Sequence, residues 1–106
     1  KYAISDYLKE KNISEIILYG LGDMAKLLFW ELKDSEISIL YGVDRIITSF
    51  YDIKVIQDLS CINKDTLIVV TPLNETGKSI IGNLTKQKYT NTILLSDLID
   101  KIAQKV

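Results

Sequence analysis

Apolar positions in this chain fall into short, nearly continuous runs separated by longer amphipathic stretches. The runs cover residues 15–19, 37–43, 53–56, 66–71 and 92–95. They are too short for helices and rich in β-branched residues. They read as strands, and the first and fourth are apolar enough to be covered on both faces. Helical periodicity predicts long helices over 23–33 and 75–88 and a closing helix over 97–105. Residues 5–11 read as a short polar helix with Ile4, Tyr7 and Leu8 on one face and Ser5 or Asp6 as its cap. A turn of helix is expected at 57–61.

Strands that alternate with helices imply crossover units and a parallel sheet. With right-handed crossovers the expected strand order is 3-2-1-4-5, in a single α/β domain over residues 1–106 whose first 12 residues carry the N-terminal helix. No internal repeat or linker interrupts it. Pro72, the sole proline, stands just past the fourth strand, where it ends the pairing.

Composition changes this picture little. At 106 residues the chain can bury roughly 60–70% of its unfolded surface, enough for one core. With 47% apolar and 25% charged residues and a net charge of −1, it gives no reason to expect nucleic acid or an anionic membrane as partner. No apolar run is long enough for a transmembrane segment, and the polar stretch 2–12 does not read as a secretory leader. The chain starts at Lys1 rather than Met, so excision from a longer protein is expected. It has one cysteine, Cys61, and no histidine. That excludes a disulfide framework, a thiolate–imidazole zinc site and a histidine triad from this sequence, and no metal is expected. A single free thiol fits a reducing cytoplasm. With only Lys64 as a basic neighbour, Cys61 reads as a small core hydrophobe. Lys78, Lys86, Lys88, Lys101 and Lys105, spread among acids, read as a solvated face.

The chemistry lies at Ile16-Ile17-Leu18-Tyr19-Gly20-Leu21-Gly22-Asp23-Met24-Ala25. A strand ends in Gly-x-Gly-x-x-Ala and opens into a helix, the arrangement that holds a phosphate in dinucleotide-type folds. Gly20 permits the tight bend, Gly22 permits close backbone approach to a phosphate, and Ala25 lets helix and strand pack. The helix N-terminus supplies free N–H groups and positive potential. The alternative is a tight turn with no ligand. Asp23 suits the helix dipole but repels an anion, and Lys26 partly offsets it. Asp44 ends the second strand 24 residues beyond Gly20, near the spacing of an acid that holds ribose hydroxyls. Its alternative is a turn residue. Such an acid disfavours a 2′-phosphate, whereas Arg45 beside it is either a phosphate ligand or a solvated charge. Thr71 and Pro72 leave the fourth strand across the switch point, where Thr71 either bonds a ligand or caps the turn. The candidate binding set is Gly20, Leu21, Gly22, Asp23, Met24, Asp44, Arg45, Thr71 and Pro72.

Met24, Ala25, Leu27, Leu28, Phe29, Trp30 and Leu32 crowd the first long helix beyond a simple apolar stripe. That points to contact with a second subunit or an adjoining domain, anchored by Phe29 or Trp30; the alternative is a helix sandwiched inside its own domain and partly covered by the N-terminal helix. Ile46, Ile47, Phe50 and Tyr51 are expected to pack down on the third strand; the alternative is a loop that covers a base or a sugar beside the crevice.

These segments, together with Tyr7-Leu8-Lys9, Gly42-Val43-Asp44-Arg45, Ile53-Lys54-Val55-Ile56, Ile68-Val69-Val70-Thr71-Pro72 and Ile93-Leu94-Leu95-Ser96-Asp97-Leu98-Ile99, resemble a small Rossmann-like module of bacteria. That module occurs beside or fused to glycosyltransferases and sugar-modifying enzymes of surface-polysaccharide synthesis. It is similar to the nucleotide-sugar-binding N-terminal domain of bacterial sugar acyltransferases. The resemblance implies a three-layer Rossmann-like fold, a diphosphate at Gly20, Gly22 and Ala25, and ribose or uracil at Asp44. It carries over no catalytic residue. The chain departs from the pattern in Ala25 for the commoner glycine, in the apolar stretch 46–51, and in Asp52 where a glycine usually stands. The expected function is therefore binding of a nucleotide or nucleotide-sugar, such as a UDP-sugar, by an accessory domain. The alternatives are an NAD-binding fragment of an oxidoreductase or epimerase and a ligand-free interaction module.

Overall fold

The computed structural model describes residues 3–104. The elements run α1 (Ile4–Glu10), β1 (Glu15–Tyr19), α2 (Asp23–Leu32), β2 (Ser38–Val43), β3 (Val55–Ile56), β4 (Leu67–Val70), α3 (Asn74–Lys86), β5 (Thr92–Leu94) and α4 (Leu95–Ala103). The five strands form one parallel sheet in the expected order, β3-β2-β1-β4-β5. Alternate residues of the central strands feed two separate cores. Ile16 and Leu18 of β1, with Val69 of β4, pack under α1, α2 and α4 through Leu8, Leu28 and Leu98. Ile17, Ile68 and Val70 pack on the other face under Leu84 of α3. The result is a three-layer Rossmann-like fold, with side chains of period two dividing the layers.

A shift of register between Ile16 and Ile17 inserts one extra residue into β2, so that Ile17 pairs with Tyr41. Leu40 and Tyr41 consequently pack into the same core, as a bulge allows.

Several local expectations are corrected. α1 begins at Ile4, and Asp6 does not stand at its N-cap. Its carboxylate reaches back one turn to accept the Ala3 N–H at 2.8 Å. The span 57–61 forms bends and turns instead of helix, because the Asp58 carboxylate captures the Ser60 N–H at 2.9 Å, an alternative to helical bonding. β3 is shorter than expected, since Ile53 turns back into an antiparallel bridge with Phe50. Cys61 is exposed; the core positions of that segment are filled by Leu59 and Ile62. Tyr2 and Lys105 lie outside the described residues.

Phe29, one of the two expected anchors, is buried. Its ring stacks on Tyr51 with centroids 4.2 Å apart. Trp30 is more than half exposed and donates its indole N–H to the Tyr51 hydroxyl at 3.1 Å. Of the loop expected to pack down, Phe50 and, in part, Ile47 do so, whereas Ile46 is 87% exposed and Tyr51 about half.

Candidate functional site

The sheet reverses its winding between β1 and β4, and a crevice opens outside the carboxyl ends of the strands, where this fold class takes ligands. The two glycines of the turn have different causes. Gly20 sits at φ +92°, and a Cβ there would lie 2.7 Å from Pro72 Cδ and 2.9 Å from Thr71 Oγ1. The chain itself therefore demands glycine at position 20. Gly22 is the N-cap of α2 in extended backbone, with φ −85° and ψ −156°. A Cβ there would meet nothing within 4 Å. Neither backbone nor packing asks for glycine at 22, and no side chain caps the first turn of α2.

Thr71 is buried at the exit of β4. Its buried hydroxyl donates to the Gly20 carbonyl at 2.8 Å and more loosely to that of Tyr19 at 3.3 Å. It staples the exit of β4 to the glycine turn. Leu21 is buried and lies across β2, where its side chain fills the space a Cβ on Gly42 would need.

Asp44 joins the two strand exits. Its Oδ2 accepts the Leu21 N–H at 3.0 Å, and its Oδ1 accepts the N–H groups of Ile46 and Ile47, each at 2.9 Å. Partial burial pushes the carboxyl pKa up, but the three N–H donors outweigh it and hold the group below its ordinary value. A carboxylate offers about four lone-pair positions, and three are already filled by backbone.

A cavity of about 810 Å³ occupies the crevice. Tyr19, Gly20, Val43, Asp44, Arg45, Ile46 and Pro72 form one wall; Thr76, Ile80, Asn83, Leu84, Lys86 and Gln87 of α3 and its C-cap form the other. Of the candidate set, the cavity brings together Gly20, Asp44, Arg45 and Pro72. Gly22 and Asp23 are exposed and sit outside its lining, with Asp23 3.8 Å from Lys26. Met24 lines a different hollow, between α1, α2 and α4. The α3 wall escaped the sequence reading. Its signal is the helical spacing of Thr76, Ile80, Asn83 and Gln87; Lys86, exposed as expected, also lines the cavity.

Among the described residues no group of acids and Cys61 could hold a metal ion, and no helix is long and apolar enough to cross a membrane. No family model, curated protein or solved structure matches the chain.

Proposed function

We propose that this domain binds a nucleotide or nucleotide-sugar in the crevice, as an accessory part of a protein of bacterial surface-polysaccharide synthesis. The crevice itself carries the reading: at the carboxyl ends of the strands Gly20, Asp44, Arg45 and Pro72 share one cavity with side chains of α3, where this fold class takes ligands. The first turn of α2, capped by no side chain and preceded by exposed Gly22, offers its N–H groups to a phosphate. The mixed apolar and polar cavity beyond Gly20 suits a ribose and base. Asp44 serves chiefly as a brace, with one lone-pair position left for a hydroxyl. The UDP-sugar preference rests on the resemblance of the turn and of Gly42-Val43-Asp44-Arg45 to the polysaccharide-associated module.

A thermal-shift panel of UDP-, CDP- and GDP-sugars, NAD, NADH, NADP and AMP tests this. A ligand at 100 times its Kd stabilises the fold by about 2.7 kcal/mol, and a UDP-sugar is expected to do so. Gly22→Val, which meets open space, is expected to cost at most about 1 kcal/mol of stability while abolishing the shift. Equal Tm with and without every nucleotide overturns the reading.

A second reading, a docking face on α2, is favoured by Leu27 and Trp30, which are 62% and 56% exposed on the outward side of that helix. Sedimentation of wild type against a Leu27→Ser, Trp30→Ser variant decides it. A monomer in both cases argues against self-association.

A further inference from the structure

Helices α1, α2 and α4 leave an apolar groove between them, lined by Met24, Leu27 and Leu28 of α2 with Ile99 and Ile102 of α4; Glu31 is its charged member. Beside the groove stands an aromatic ridge. Leu27, exposed on the groove wall, is followed one turn later by exposed Trp30, whose indole N–H is bonded to the hydroxyl of Tyr51. Tyr51 holds left-handed backbone, with φ +52°, a costly conformation for a bulky residue. Its ring stacks on Phe29 and meets Trp30 edge to face. The ridge is therefore held in place before anything docks on it, and it loses little side-chain freedom when something does. Lys33 covers one face of it, with Nζ 4.9 Å from the Trp30 ring centre.

Charge divides the same way as shape. By helical spacing Lys26, Trp30 and Lys33 fall to one side of Leu27, and Met24, Leu28 and Glu31 to the other. The ridge side thus carries two ammonium groups and the groove side a carboxylate. Among the described residues Glu31 is in none of the ion pairs. Lys26 reaches Asp23 through an exposed contact at 3.8 Å, a kind worth little.

We propose that this face binds a second copy of the chain, with the Trp30–Tyr51 ridge of each copy seated in the groove of the other. The proposal rests on the docking face read above on α2 and names its partner. One chain carries both halves of the fit, an apolar ridge with a positive flank and an apolar groove with a negative one, and Leu27 belongs to both. A two-fold axis along α2 closes the pair. It sets the two helices parallel and puts the groove side of each against the ridge side of the other. Glu31 of each copy then meets Lys26 and Lys33 of the other, as flanking charges do in a parallel helix pair. An antiparallel pair would set like flank against like. Both hydrophobic cores close within one chain, so association adds to a complete fold and a dilute chain keeps its Tm.

Sedimentation velocity over a concentration series, on the whole chain at low salt, tests the arrangement by charge swap. The wild type is expected to pass from monomer to dimer. Glu31→Lys alone, and Lys26→Glu together with Lys33→Glu, each set like charges together at both contacts of the pair. Each is expected to weaken association about tenfold. Mixed in equal amounts, the two variants regain opposite charges at both contacts, and the mixture should dimerise like the wild type. All three positions are exposed, and an unchanged Tm in dilute solution shows each variant folded. A wild type that stays monomeric throughout, or a mixture that associates no better than its components, overturns the proposal. A dimer that Leu27→Ser with Trp30→Ser abolishes, while the charge swap leaves it unmoved, keeps the α2 docking face and removes this pairing. A dimer insensitive to both sets of substitutions removes the two readings together.

Discussion

Two of the hollows on the surface of this domain have contrasting linings. The crevice at the strand ends mixes cations, amides and hydroxyls with apolar side chains. The groove between α1, α2 and α4, about 540 Å³, is lined by Met24, Leu27, Leu28, Leu95, Ile99 and Ile102, with Glu31 as its charged member. The groove is core that the helices do not quite close over. It has apolar area without the directional groups that fix a small ligand. The crevice has those groups because parallel strands end there together and bring their turns and following loops into one place. The crevice is also the larger of the two, at about 810 Å³. Hydrogen-bond geometry separates them.

The contrast can be broken most severely at the crevice floor. Gly20→Ala forces a side chain into left-handed backbone and against Pro72, and is expected to cost about 2–4 kcal/mol in chemical denaturation. A smaller effect, visible through pH, comes from Asp44. Its folded pKa lies below the ordinary carboxyl value of about 3.9. Its contribution to stability is therefore complete above the unfolded pKa and lost as pH falls through the folded one. Asp44→Asn should lower Tm near neutrality and flatten the acid limb of the Tm–pH curve; an unchanged limb would remove the brace from the account. The smallest effect belongs to the groove. Leu27→Ser, at an exposed position, should move stability by no more than about 0.5 kcal/mol. A larger loss would mean that the groove wall is part of the packed core.

The reach of the sequence follows the same division. Apolar runs of strand length and their alternation with helices determine the order of the sheet, and both survive in the structure because burial on two faces leaves no other placement for Ile16 to Leu18 or Leu67 to Val70. The Gly20–Ala25 turn was legible for the same local reason. The partners of polar groups were not. The bond from Leu21 to Asp44 spans 23 positions and that from Thr71 to Gly20 spans 51, so both exist only once the strands lie side by side. A stripe of Thr76, Ile80, Asn83 and Gln87 looks like any solvated helix face until the sheet places a cavity beneath it. The missing helix at 57–61 turned on one carboxylate taking a neighbouring N–H, a competition that periodicity does not register.

The carboxylate of Asp44 also makes the two ends of the crevice mechanically dependent. It grips the glycine turn through Leu21 and the β2 exit loop through Ile46 and Ile47, so neither can shift far without straining the bonds that hold the other. An occupant that lifts the loop loosens the turn, and an occupant that tightens the turn stiffens the loop. By linkage, whatever free energy passes in one direction passes equally in the other. Two halves of a single ligand would thus report to each other through one side chain, and replacing it would turn a concerted grip into two independent and weaker ones.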